Sequence, residues 1–402
     1  MLFPPLLVIT SKLAHTQFRI LSPDSNPLLR YVIRKTFYHQ FCAGENAVEV
    51  KKTIDGLKTL GYKGVILGYA KEVVMDEKQT NNLSSCGDPE VAEQCIRNEI
   101  IPWAQGTLAT VKLTSPGDFI ALKFTGAGSQ ALYDLTRKTG PSAALREAID
   151  SICDLAAARG VRLLFDAEQQ AVQAGIDAWT LEYMRKYNNN VPGKAVVYGT
   201  YQAYLKATPS VLSSHLATAR REGFTLGIKL VRGAYLGSDP RDRIHDTKLD
   251  TDNAYNGIAE SVVRRSYGPI LRPTEGETEF PSVNLVLASH NHESVRKIQA
   301  VRTAQVQNGE EQIDLVYAQL QGMADEVSCE LVHEGRANKE GAKVDIPKAY
   351  KYLVWGTTGE CMKYLLRRAQ ENKEAVQRTR DGRNAIATEL VRRVRKFLGL
   401  AS

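Results

Sequence analysis

Eight short runs of apolar, largely β-branched residues recur along this chain, and each is followed by a stretch with helical spacing. The runs lie at 64–69, 119–124, 161–166, 195–201, 225–231, 283–289, 313–318 and 350–354. Stretches such as 142–159, 175–187 and 209–222 read as the helices between them. The runs are nearly continuous in apolar character, as strands are when both faces are buried, and crossover helices make such strands parallel. Eight strand–helix units predict a (β/α)8 barrel, in which the strands close on themselves inside a ring of helices. An open doubly wound sheet competes, because the first and last runs are the weakest.

At 402 residues and 43% hydrophobic, the chain can bury one large core or two ordinary ones. The first 60 or so residues read as a leader and helices packing outside the barrel, with an amphipathic helix over 45–60. The barrel is expected over 61–372, and a basic amphipathic helix over 373–402. Residues 79–89 and 267–281 have the Asn, Ser, Gly and Pro content of irregular surface insertions. The net charge of +7 is modest and the charges are mixed, so no nucleic-acid stripe is visible. The six cysteines, Cys42, Cys86, Cys95, Cys153, Cys329 and Cys361, have neither metal nor disulfide spacing, which fits free thiols in a reducing compartment. No run approaches the ~20 apolar residues that span a bilayer. The start is apolar, then mildly basic, with no acid before Asp24. It is weak as a secretory signal or transit peptide, and reads as the remnant of a longer leader.

In a barrel, polar residues at the carboxyl ends of the strands bind and react. Here these are Lys123, then Asp166 and Glu168, then Gln202, then Lys229, Arg232, Gly233 and Tyr235. His290, Asn291 and His292 follow the sixth run, Gln319 and Gln321 the seventh, and Tyr352 lies in the eighth. A lysine among apolar strand residues is costly unless it is paired, faces the lumen, or reaches solvent at the strand end. Asp166-Ala167-Glu168 puts two acids on one strand face, for a metal, for acid–base work, or for pairing with lysines. His290-Asn291-His292 repeats the alternation of zinc ligands on a strand. Gly233 permits close backbone approach to a ligand. No glycine-rich dinucleotide or P-loop motif follows a strand.

Near the end, Tyr364-Leu365-Leu366-Arg367-Arg368-Ala369-Gln370-Glu371-Asn372 sets two arginines on one helix. Each guanidinium is a planar fork that fits a carboxylate or phosphate. Glu371, four residues after Arg367 and three after Arg368, can reach either one. A solvated basic helix face is the plainer alternative. Taken together, Lys123, Lys229, Arg232, Arg367 and Arg368, with Tyr235 and Tyr352 as walls, make an anion-binding lumen. Such a lumen suits a substrate carboxylate beside a cofactor pyrophosphate.

These blocks resemble proline dehydrogenase, of the eukaryotic, fungal mitochondrial type. The resemblance rests on Phe41-Cys42-Ala43-Gly44-Glu45, Leu122-Lys123-Phe124-Thr125-Gly126, Phe165-Asp166-Ala167-Glu168, Tyr201-Gln202-Ala203-Tyr204, Lys229-Leu230-Val231-Arg232-Gly233-Ala234-Tyr235, Ala288-Ser289-His290-Asn291, Gln319-Leu320-Gln321-Gly322-Met323 and the double-arginine run. They follow the family's order over residues 41–372. The resemblance implies a distorted (β/α)8 barrel carrying FAD, with its last helix over the carboxyl end of the strands. It implies oxidation of L-proline to Δ1-pyrroline-5-carboxylate, a membrane quinone as acceptor, mitochondrial localisation and no metal. Arg367, Arg368 and Lys123 would bind the proline carboxylate. Asp166 and Tyr352 would shape the pocket, Tyr235 and Leu320 would pack on the ring, and Glu45 would pair with the first arginine as a gate. Gln202, Lys229, Val231, Arg232, Gly233, Ala234, Ser289, His290 and Glu371 would serve the cofactor. The catalytic set implied is Asp166, Lys229, Tyr352, Arg367 and Arg368. Lys229 stands where bacterial members usually have Arg, and Leu236 where many have Trp, so the flavin's surroundings differ from theirs.

Three rivals are weighed beside this. A metal-dependent barrel hydrolase would use His290, His292, Asp166 and Glu168 but leaves the arginines idle. A hydroxyproline dehydrogenase tends to lack the pocket tyrosine that Tyr352 supplies. A dead scaffold barrel has no reason to keep the whole clamp. Residues 384–400 carry Ile386, Leu390, Val394 and Phe397 on one face with basic residues around it. That pattern fits either a docked helix or a peripheral membrane contact.

Overall fold

The computed structural model describes residues 23–71, 89–274, 276, 279–337 and 344–374. The leader over 1–22, nearly all of the 79–89 insertion and the basic segment 384–400 lie outside the described residues. The described residues gather into two compact units, Ala43–Trp355 and the paired segments 23–42 and 356–374.

The larger unit is a closed barrel of parallel strands: β1 (Gly64–Tyr69), β2 (Phe119–Leu122), β3 (Arg162–Phe165), β4 (Val197–Gln202), β5 (Leu226–Val231), β6 (Val283–Ala288), β7 (Leu315–Leu320) and β8 (Ala349–Trp355). Each strand pairs in parallel with the next, and β8 closes the ring on β1 from Gly64 opposite Tyr350 to Tyr69 opposite Trp355. The open sheet is excluded, since β1 and β8, the weakest runs in sequence, pair with each other along all of β1.

Strand alternation divides the core in two. Ile120, Leu122, Leu163, Phe165, Ile228, Leu230 and Leu353 face the helices and join one large apolar cluster. Ile66, Phe119, Ala121, Leu164, Tyr198, Val286 and Tyr350 form a second cluster inside the barrel. Counting by twos from these inner residues, Lys123, Asp166, Lys229 and Tyr352 carry the same parity and fall at the carboxyl end of the lumen. At the opposite end Arg162 closes the lumen. Its guanidinium lies 3.7 Å from the Phe119 ring centre and donates to Gly117 O at 2.6 Å and Asp314 Oδ2 at 3.0 Å.

The helices start where the sequence supplies caps. Asn46 Oδ1 accepts from the backbone of Val48 and Glu49 at 3.1 Å, opening the helix Ala47–Thr59. Thr247 and Asp250 form a capping box before Lys248–Arg264. Asn291 Oδ1 accepts from Ser294 N at 3.0 Å and opens His292–Asn308.

In the smaller unit, Asn26 caps the helix Pro27–Ile33, which runs into a π turn over Arg34–Tyr38. The Tyr38 hydroxyl donates to Gly356 O at 2.6 Å, and Gly359 N donates to Asp24 Oδ1 at 3.0 Å. These bonds tie the N-terminal segment to the helix Thr358–Glu374, which carries both arginines. No helix among the described residues is long and apolar enough to cross a membrane.

Candidate active site

The carboxyl end of the barrel lumen is organised around one carboxylate. Asp166 Oδ1 accepts from Lys229 Nζ at 2.5 Å. Its Oδ2 accepts from the Tyr352 hydroxyl at 2.8 Å and lies 3.4 Å from Lys123 Nζ. Lys229 Nζ also sits 4.9 Å from the Tyr352 ring centre, so its charge faces the π cloud as well. Strands β2, β3, β5 and β8 thus bring together four groups that lie far apart in the sequence.

Burial favours the neutral form of Asp166, but Lys229, Lys123 and the Tyr352 hydroxyl outweigh it and hold the carboxyl below its ordinary range. Lys229 is pulled below the usual lysine range by burial, with the like charge of Lys123 adding to that and Asp166 opposing it. The cluster thus sets two ammonium groups and a phenol around one buried carboxylate.

A second ring of polar groups surrounds the strand ends. Glu168 accepts from Thr125 N at 3.1 Å and from the Thr125 hydroxyl, while its own N–H donates to Gln173 Oε1 at 2.9 Å. Gln202 Oε1 accepts from Ala234 N at 3.2 Å, which fixes the turn after β5. In that turn Gly233 has φ +149°, and a Cβ there would meet the Tyr204 ring at 2.3 Å. Val231 ends β5, and Tyr235 is buried in the turn. His290 Nε2 accepts from Leu320 N at 3.1 Å, so a neutral His290 carries its proton on Nδ1.

Three readings of the sequence are corrected here. Strand β3 ends at Phe165, so Asp166 and Glu168 do not share a strand face. One pairs with lysines and the other holds Thr125. Strand β6 ends at Ala288 and Asn291 caps the next helix, so His290 and His292 do not alternate on a strand. His292 instead pairs with Glu330, away from His290's partner. Nor is Arg232 a loose lumen cation. Its Nε donates to Asp252 at 2.9 Å, NH1 to Ser289 Oγ at 2.7 Å and NH2 to Ser294 Oγ at 2.8 Å, with the Tyr255 ring centre 4.2 Å away. It is a strut that orients Ser289.

Glu45 is half-buried just after the strand Cys42–Gly44, and its N–H donates to Glu49 Oε2 at 3.0 Å. In the smaller unit, Arg368 is buried with its guanidinium 5.1 Å from the Tyr364 ring centre, and Arg367 is half-buried. The Glu371 side chain lies outside the described residues. Sequence reasoning missed Thr125, Asp252 and Lys351. A signal existed for Lys351, since a lysine inside an apolar strand is the same anomaly that pointed to Lys123.

The proline dehydrogenase family profile matches residues 50–381. A chain from Schizosaccharomyces pombe named "Probable proline dehydrogenase, mitochondrial" is 29% identical over 413 residues, covering 92% of this chain and 81% of that one. The Bos taurus protein named "Hydroxyproline dehydrogenase" is also 29% identical, over 393 residues, covering 90% of this chain and 82% of its own. Among solved structures, proline utilization A (PutA) from Bdellovibrio bacteriovorus inactivated by N-propargylglycine superposes with a TM-score of 0.66 at 16% identity. That match covers 91% of this chain but 36% of the longer PutA chain, and it shows the shared fold.

Proposed function

This chain belongs to the proline dehydrogenase family, and we infer that it oxidises L-proline to Δ1-pyrroline-5-carboxylate with FAD as its cofactor. The observation that carries the reading is the Asp166-centred cluster, which keeps two ammonium groups and an oriented phenol at the mouth of the lumen.

The oxidation removes a hydride from C5 of proline and the proton from the ring nitrogen. FAD, when bound, supplies the two-electron acceptor. The residues present suit it. Lys229, Gln202, Ser289, His290 and the turn at Gly233 and Ala234 offer polar groups at the strand ends. The nearby carboxylates Asp166 and Asp252 are each paired with cations, which offsets their charge toward a phosphate.

In this reading Arg367, Arg368 and Lys123 bind the substrate carboxylate, and a bidentate clamp fixes the ring's orientation. Tyr235 and Leu320 pack on the ring. Asp166 holds the Tyr352 hydroxyl in place and keeps Lys229 charged. Lys229 then presents a fixed positive charge that favours electron-rich, anionic partners. Glu45 serves as the gate on the arginine pair. Electrons leave to a membrane quinone. The enzyme works in the mitochondrion, the location printed in the name of the Schizosaccharomyces pombe relative.

A second reading, hydroxyproline as substrate, has support from the equal identity to the bovine relative. Tyr352 favours proline, because its phenol occupies the space a ring hydroxyl would need. The deciding experiment is spectroscopic. The purified protein should show flavin absorption, and anaerobic L-proline should bleach it faster than 4-hydroxyproline does. A protein that binds flavin but is not bleached by L-proline would overturn the reading.

A further inference from the structure

Strand β8 carries one charged residue, Lys351, that the reaction does not use. Lys351 is 1% exposed, yet it points away from the lumen, between its apolar neighbours Ala349 and Leu353 on the helix side. An ammonium buried there is costly unless its donors are met. They are met by a single loop. Lys351 Nζ donates to Asp325 Oδ1 at 2.8 Å, Met323 O at 3.0 Å and Leu320 O at 3.4 Å. The Tyr62 ring centre lies 6.0 Å away.

That loop leaves β7 at Leu320 and enters the helix Asp325–Ala337. It turns sharply, with Gly322 at φ +71° and Ala324 at φ +50°. A left-handed alanine is strained, and such conformations persist only where surrounding contacts impose them. Lys351 holds both sides of that turn. Across the strand pair, Leu320 is opposite Tyr352, and Gln321 N donates to Tyr352 O at 2.9 Å. The residue next to Tyr352 in sequence therefore grips the loop that begins at Leu320.

We propose that Lys351 is a positioning residue that sets the separation of Leu320 and Tyr352, and with it the fit of the substrate ring. The inference rests on the reading that these two side chains wall the substrate pocket. A buried ammonium adds little stability over an apolar side chain of like volume, so its use here is geometric. Lys351 holds the strained turn shut from the helix side, and the pocket wall keeps its position on the lumen side. Without it the turn relaxes, Leu320 withdraws, and the pocket tolerates a bulkier ring.

The test compares Lys351→Met, Lys351→Arg and Asp325→Asn with the wild-type holoenzyme. Flavin content, KM and kcat are measured for L-proline and for 4-hydroxy-L-proline. Lys351→Met should raise the proline KM about five- to twentyfold with kcat within about twofold, and should lower the proline-to-hydroxyproline ratio of kcat/KM about tenfold. Asp325→Asn should move both in the same direction by less, and Lys351→Arg should recover part of the ratio. Should Lys351→Met not fold, Asp325→Asn decides alone. Loss of thermal stability with an unchanged ratio and KM in Lys351→Met or Asp325→Asn would mean an ordinary structural lysine and sink the proposal. Leu320→Ala separates the underlying reading: an unchanged proline KM there removes Leu320 from the pocket and overturns both.

Discussion

Arg367 and Asp166 show how differently two charged residues act. Arg367 is half-buried on the helix Thr358–Glu374; Asp166 is buried and holds three partners. Arg367→Met should raise the KM for L-proline and lower kcat/KM about ten- to a hundredfold, the worth of one charge-assisted bidentate contact. Flavin content should stay constant, and an unchanged KM would show the carboxylate clamp to be misassigned. Tyr352 is held by Asp166 at 2.8 Å, so its phenol has a fixed position. Tyr352→Ser should shift preference toward 4-hydroxyproline, because it opens room for the ring hydroxyl and leaves a void beside proline. Steady-state kinetics with both substrates measure this, and an unaltered ratio of specificity constants counts against the placement.

At the scale of the element, helix starts decide which neighbouring residues can share a site. His290 and His292 are two apart, but Asn291 caps a helix between them, and His292 turns outward to Glu330. His292→Ala should therefore leave activity within about twofold of wild type, since surface changes of this kind are worth about 0.5 kcal/mol. Incubation with a chelator should change nothing in turnover, and loss of activity on chelation would revive the metal hydrolase. Lys138 ends the helix Ser129–Arg137 in the left-handed conformation at φ 57°, with an exposed side chain. Lys138→Gly should stabilise the fold by about 0.5–1 kcal/mol, read as a higher urea midpoint. The strands themselves were legible. All eight runs became strands, because a parallel barrel strand is apolar on both faces and needs no partner information to be seen. The lumen cluster was legible only as a set of residue types. Which acid faces Lys229 depends on where β3 stops, and a strand end is set by tertiary pairing. The Arg232 strut and the Lys351 strap were hidden for a further reason. Their partners Asp252, Ser294 and Asp325 are ordinary polar residues on helices, which nothing in the local sequence distinguishes.

At the scale of the whole molecule, two half-buried groups outside the lumen set opposing pH dependences. Asp177, on the helix Gln170–Tyr187, is pushed up to about 6 by burial, with a Gln173 hydrogen bond at 2.8 Å opposing. His215 is pushed down to about 4 by burial, with Arg185 adding to that, and its Nδ1 lies 2.9 Å from the Tyr201 hydroxyl. For Asp177 the folded pKa is raised. Its protonated form is the one the fold accommodates, so stability is fully present below about pH 4 and is lost as pH rises through 6. For His215 the folded pKa is depressed. Its neutral form is accommodated, so stability is present above the ordinary histidine value and is lost as pH falls toward 4. Between pH 4 and 6 the two slopes cancel in large part. Asp177→Asn removes one of them and keeps an oxygen for Gln173 to bind. The variant should match the wild type near pH 4 and exceed it at pH 7 by about 1–3 kcal/mol, with stability that climbs steeply between those values. Urea unfolding at pH 4, 5, 6 and 7 reads this directly. A variant whose stability runs parallel to the wild type across that range would mean that Asp177 stays ionised in the fold, and that burial does not govern its charge.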